Sequence, residues 1–179
     1  MFSSDVLWEH PAVWREVQTA LDHHMCLYVR ESTALDNLAG SIAENLQAVD
    51  PVMEDLCRET CPHCPAPCCL HADVRYDLRD LVFLHTRQEA LPLHQPRQQT
   101  GRPCSFLGQN GCMLPRGLRP FMCTWYLCPG QMAIIRNDAG QDMISVLAGL
   151  QRIKELRKEL EDTFISMVSG ISPRRDRHL

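Results

Sequence analysis

The chain has 179 residues, of which 45% are hydrophobic and 22% charged, and its formal net charge is −4. That length suits one domain with a real core, and the acidic balance removes the electrostatic case for nucleic-acid binding. No stretch offers the about 20 mainly apolar residues of a membrane-spanning helix.

The first residues, MFSSDVLWEHP, lack the basic-then-apolar order of a secretory leader. The expected location is therefore cytoplasmic, where thiols stay reduced. Residues 1–56 read as helices. Pro11 suits a first helical turn, and Val13, Trp14, Val17, Leu21, Met25 and Tyr28 recur at steps of three and four. Leu35, Leu38, Ile42, Leu46 and Val49 form a second stripe, opened by a capping-box-like Thr33 and Asp36. Asp50-Pro51 predicts the end of that helix and the start of a short one leading to Cys57 and Cys61.

Beyond the cysteine-rich stretch CPHCPAPCCL (61–70), ADVRY (72–76) reads as a short strand, and Asp77 as the N-cap of a helix through about Glu89. Residues 91–103 contain three prolines and no period, which predicts a loop. CSFLGQNGCMLP (104–115) reads as a hairpin turning at Asn110-Gly111. RGLRP leads into one or two helical turns that begin near Pro120. Over 141–169, Val146, Leu150, Ile153, Leu156, Leu160, Phe164 and Met167 predict a long helix, with Arg157–Glu161 and Lys158–Asp162 as ion pairs one turn apart. Residues 170–179 read as a solvated tail. The expected fold is one mainly α domain over 1–179, with helical flanks around an irregular, metal-stapled, cysteine-rich centre (57–130) that includes a small β-hairpin.

Nine of the ten cysteines lie in that centre, at 57, 61, 64, 68, 69, 104, 112, 123 and 128. An irregular segment of this size buries too little apolar surface to order itself. A structural zinc site contributes about 10–16 kcal/mol, comparable with a whole domain's net stability. Cys61-x2-Cys64 is a ligand pair common to zinc and iron–sulfur sites. Adjacent α-carbons are about 3.8 Å apart, short of the about 4.4–6.8 Å usual in disulfides, so Cys68 and Cys69 read as ligands to different ions or to different corners of one cluster. The candidate metal ligands are Cys61, Cys64, Cys68, Cys69, Cys104, Cys112, Cys123 and Cys128, enough for two four-thiolate sites or for one cluster and one zinc. The cofactor is accordingly an iron–sulfur cluster or Zn2+. The steps Cys61-Pro62, Cys64-Pro65 and Cys128-Pro129 lean slightly toward iron–sulfur.

These motifs resemble the YkgJ-type cysteine-cluster family, described as a zinc- or iron-chelating domain. The residues that carry the resemblance are Cys61-x2-Cys64-x3-Cys68-Cys69, Cys104-x-Phe106-Leu107, Gly111-Cys112-Met113-Leu114, Arg119-Pro120-x2-Cys123 and Tyr126-x-Cys128. Asp80 or Asp77 resembles the acidic position that follows the family's double cysteine. The resemblance covers about 57–130 and implies chelation; here Pro65-Ala66-Pro67 supplies three residues before the double cysteine where the family commonly has two.

Several other residues have plainer readings. Cys26 is expected to be a buried thiol, and Cys57 a core thiol or else a spare ligand or redox partner. His63 and His71 are substitute ligands. Arg119 reads as a donor to a metal-bound sulfur or as a surface arginine, and Trp125 and Tyr126 as cover over the site. No nucleophile–base or nucleotide-binding motif is present. The expected function is a metal-binding protein with a structural, electron-transferring or metal-handling role. The alternatives are an iron–sulfur oxidoreductase or methyl-transfer-associated enzyme, and a zinc-stapled adaptor that meets a protein partner through its helical flanks.

Overall fold

The computed structural model describes residues 10–29, 32–97, 102–109, 111–137 and 141–170. Helix α1 (Pro11–His24) starts with His10 as N-cap and Pro11 in the first turn, and buries Trp14 and Leu21. A π-helical stretch, Met25–Val29, follows. Met25 is buried, but Cys26, expected to be buried, is exposed, because the next residue on a helix points about 100° away from the Trp14–Leu21–Met25 stripe.

Helix α2 (Thr33–Thr60) is capped by Ser32, whose hydroxyl accepts from the Leu35 N–H, one residue before the expected Thr33. The helix also runs straight through Pro51. An interior proline costs about 3 kcal/mol. Fully burying an aliphatic side chain contributes about 1.5–3 kcal/mol, and Val49 and Met53 on either side of Pro51 are both buried. The packing therefore outweighs the break.

Helix α3 (Cys68–His71) is a single turn. Residues 73–77 are extended without being a strand. The buried Gln95 side chain replaces a strand partner: its Oε1 accepts from the Tyr76 N–H at 2.8 Å and its Nε2 donates to the Tyr76 carbonyl at 3.1 Å. Helix α4 (Leu78–Thr86) begins with a reciprocal capping box between Asp77 and Asp80. It stops short of Glu89 in a Schellman turn, where the Glu89 N–H donates to the Leu84 carbonyl and Gln88 takes a φ of 56°.

The described residues between 91 and 103 are irregular, as their prolines suggest. The expected hairpin is minimal, with β1 (Leu107–Gly108) antiparallel to β2 (Gly111–Cys112) and Leu107 opposite Cys112. Gly111 has a φ of 107°, which glycine adopts without strain; Asn110 lies outside the described residues. A 3-10 turn at Arg116–Leu118 precedes α5 (Met122–Trp125) and α6 (Pro129–Asn137), the latter a helix that the apolar pattern does not announce.

Helix α7 (Gln141–Ser169) takes the expected range, and of the expected tail only Gly170 is described. The α2–α7 pair forms the spine, and α4 packs on α7. Ile42, Val49 and Met53 of α2, Ile153 and Leu160 of α7, and Leu81 and Val82 of α4 fill one core. At Gly149 the helices approach so closely that a Cβ would lie 2.7 Å from Val49 Cγ1. The fold is thus mainly α with a small hairpin. No described helix is long and apolar enough to cross a membrane.

Arg157 corrects one expected pairing. It leaves Glu161 and instead crosses to α4, where Nη1 donates to Asp80 Oδ1 at 2.7 Å and Nη2 to Asp77 Oδ1 at 2.8 Å. Glu161 accepts from Arg79. A buried guanidinium needs buried acceptors, and the exposed face of its own helix has none.

Candidate functional site

The cysteines hang from the end of α2. Cys57 lies in its last turn, and the Cys61 N–H donates to the Cys57 carbonyl. One 3-10 turn later the Cys64 N–H donates to the Cys61 carbonyl at 3.2 Å. Cys68 and Cys69 open α3, and the Cys104 N–H donates to the Cys69 carbonyl at 2.8 Å, tying the two halves of the centre together. Cys112 sits on β2, Cys123 in α5 and Cys128 just before α6. All ten thiols are free.

Cys68, Cys69, Cys104, Cys112 and Cys123 are near enough to perturb one another. The Cys69 thiol donates to Cys68, which holds Cys68 down at about 6 and pushes Cys69 far up, an effect that burial and the nearby sulfurs of Cys68, Cys104 and Cys123 reinforce. Burial is the main cause raising Cys123 to about 12, with Cys112, Cys104 and Cys68 adding repulsion and Arg119 opposing. Burial also raises Cys104, against the pull of a backbone N–H and of Arg97. Tyr76 stands beside this group; burial first, then Asp80 and the sulfurs of Cys123, Cys112 and Cys104, push its phenol well up. Its hydroxyl donates to the Leu118 carbonyl at 2.7 Å.

A second neighbourhood surrounds Cys57. Burial, followed by charge repulsion from Cys57, raises Cys61 to about 11. Gln131 connects Cys57 with Cys128. Its Oε1 accepts from the Cys128 N–H at 3.1 Å, its own N–H donates to Cys128 Sγ at 3.5 Å, and its Nε2 donates to Cys57 Sγ at 3.6 Å. The first two bonds form a capping box in which cysteine takes the serine role. Arg116 Nη2 donates to Cys57 Sγ at 3.7 Å and to Glu54. Arg116 also lines a cleft of about 450 Å³ beside Asp50, Glu54 and Phe83.

The scaffold beneath the site is polar and buried. Asp80 Oδ1 accepts the Phe121 N–H at 3.0 Å as well as Arg157, fixing the start of the turn that carries Cys123. Burial pushes this carboxyl up, against Arg157. Arg119 donates from Nε to the Leu114 carbonyl and from Nη2 to Glu54, so it orients the loop.

The remaining candidates lie away from the sulfurs or open to solvent. His63 and His71 are exposed, and Trp125 and Tyr126 are about half exposed, at 49% and 47%. Gln95, Gln131, Arg97 and Arg116 have no counterpart among the sequence-derived candidates. The one legible signal among them is Gln131, placed three residues after Cys128 at a helix start.

Among the described residues, no three His, Cys, Asp or Glu side chains converge tightly enough to hold a metal ion. The donor chemistry nevertheless suits a soft cation. All ten thiols are free, Arg97 Nε and Nη2 and Arg116 Nη1 are buried without a hydrogen bond, and Arg116 Nε faces Asp50 Oδ1 at 3.8 Å. Comparison of the chain with protein-family models, with curated proteins and with solved structures found no match.

Proposed function

We propose that the chain is a metal-binding protein that holds zinc or an iron–sulfur centre through cysteine thiolates. One observation carries the reading: Cys68, Cys69, Cys104, Cys112 and Cys123, drawn from separate stretches of chain, share a neighbourhood in which their charges oppose one another. Deprotonating such a group next to its neighbours is unfavourable until a cation compensates, and soft thiolates select zinc or iron–sulfur centres. Cys61, Cys64 and Cys128 complete the eight proposed donors. The resemblance of 57–130 to YkgJ-type chelating domains points the same way. The buried arginines would donate to metal-bound sulfur and temper the negative charge of the site. When bound, the metal would supply either a structural staple or an electron-transfer centre.

The test is anaerobic purification of the full chain followed by elemental analysis for iron, zinc and sulfide and by visible absorption. Iron with equivalent sulfide and broad visible absorption, or colourless protein with stoichiometric zinc, is the expected result. Protein that carries neither metal, and takes up neither after reduction and loading, overturns the proposal.

A further inference from the structure

We infer that the cleft beside the middle of α2 binds a small organic ammonium ion. The Asp50 carboxylate and the Gln47 backbone carbonyl accept from its N–H groups, and Ala43, Leu46 and Phe83 cover its apolar part. No described cysteine lines this cleft, and its chemistry is independent of any metal at the sulfurs. Its volume of about 450 Å³ falls within the about 300–1,000 Å³ usual for small-molecule sites. A single water takes up only about 30 Å³.

Pro51 creates the first acceptor. Proline has no N–H, so the Gln47 carbonyl loses the donor that the fourth residue on supplies elsewhere in a helix, and the ring crowds that carbonyl aside. The burial of Val49 and Met53 keeps α2 helical through the proline, so the carbonyl stays without that donor in the folded chain. Gln47 and Pro51 both line the cleft.

Asp50 supplies the second acceptor. Its side chain is 26% exposed, its Oδ1 is buried without a hydrogen bond, and Arg116 Nε stands off at 3.8 Å, beyond hydrogen-bond length. Burial raises the Asp50 carboxyl above its ordinary range despite Arg116 and Arg119, with Glu54 adding repulsion. Both arginines are committed to Glu54 instead, Arg116 Nη2 at 3.4 Å and Arg119 Nη2 at 3.2 Å. Glu54 is thus satisfied and Asp50 is not. At the rim, Arg87 and Glu89 are exposed, and their opposite charges offset each other. One undercompensated carboxylate beside one open carbonyl calls for a single positive group rich in donors. An ammonium group carries three N–H donors and no acceptor. An anion would meet the Asp50 charge, and a molecule without donors would leave both acceptors unpaired.

The experiment is isothermal titration calorimetry of the reduced full chain at pH 7 with benzylammonium chloride, benzyl alcohol and sodium benzoate. The benzylammonium titration is repeated on Asp50→Asn, Pro51→Ala and, as a control on the same helix, the exposed Asp36→Asn. Thermal melting by circular dichroism accompanies each variant. The expected result is saturable binding of benzylammonium, binding of benzyl alcohol weaker by about tenfold or more, and no binding of benzoate. Asp50→Asn weakens the ammonium by about tenfold or more, while Asp36→Asn binds it like the wild type. Pro51→Ala returns an N–H to Gln47, so it melts higher and yet binds the ammonium more weakly, a combination that a purely structural proline does not give. Absence of saturable benzylammonium binding, equal binding of benzyl alcohol, or undiminished binding in folded Asp50→Asn or Pro51→Ala overturns the inference. The comparison of the three compounds uses the unmutated chain, so a variant that fails to fold does not remove the test.

Discussion

Replacing Arg157 by alanine removes the partner of a carboxylate that water cannot reach. Asp80 has a side chain 6% exposed and Arg157 one that is 5% exposed, and they meet at 2.7 Å. Breaking such a pair from one side costs about 3–5 kcal/mol, because the remaining charge stays buried. The second arm, to the half-exposed Asp77, adds less than about 1 kcal/mol. The guanidinium also lies 4.6 Å from the centre of the Phe121 ring, worth about 1 kcal/mol. The Asp77 and Phe121 N–H groups still donate to Asp80 after the change, so the loss stays within about 3–5 kcal/mol. At about 2–4 °C per kcal/mol for a chain of this size, the melting temperature falls by about 6–20 °C. Urea unfolding followed by circular dichroism reads the loss directly. In the double variant with Asp80→Asn the losses are less than additive, since the second change neutralises the stranded charge. A loss under about 1 kcal/mol, or strict additivity, refutes the reasoning.

Gly149→Ala sets helix propensity against space. The propensity gain is about 1 kcal/mol, while a methyl 2.7 Å from Val49 Cγ1 costs about 1–3 kcal/mol by overpacking, so stability falls by up to about 2 kcal/mol, and a measured gain contradicts the packing described. In metal-free protein, the pair formed by Cys68 and Cys69 titrates so that Cys68 is a thiolate at neutral pH; iodoacetamide at pH 7 labels it before Cys26, and equal rates refute this. Partial burial works to raise the Glu54 carboxyl, but hydrogen bonds and charge from Arg116 and Arg119 hold it below the ordinary glutamate range. Its folded value lies under its unfolded one, so its stabilisation is present above the unfolded value and is lost as the pH falls through the folded value. Glu54→Gln accordingly flattens the acid limb of the stability–pH profile, and a profile parallel to the wild type's argues against the contact.

What the sequence reveals depends on how local the cause is. Asp77 reads as a cap because a cap is decided within four residues, and α7 reads correctly because its buried positions recur every third or fourth residue over many turns. Pro51 misleads because a proline's cost is local, whereas the burial of Val49 and Met53 that overrides it comes from a helix far along the chain. ADVRY lacks a strand partner because a glutamine side chain took that place. Arg157 has a partner on its own helix by spacing, yet desolvation sends it to Asp80. The cysteines announce sulfur chemistry from spacing alone. Their division into neighbourhoods, and the part of Gln131 and Arg116 beside Cys57, depends on tertiary contacts that no window of sequence contains.

The α2–α7 pairing has a consequence for biosynthesis. Every cysteine from Cys61 to Cys128 lies between the two helices of the spine, with Cys57 in the last turn of the first, so the whole centre is one long loop that their pairing closes. Closing a loop of that length is the late, slow step of folding. As the chain grows, all nine of these thiols are translated before α7 exists to cover the apolar stripe of α2. The nascent protein therefore passes through an interval in which its sulfurs are complete and its core is not. During that interval, reducing conditions decide whether the thiols stay free or oxidise into wrong pairs.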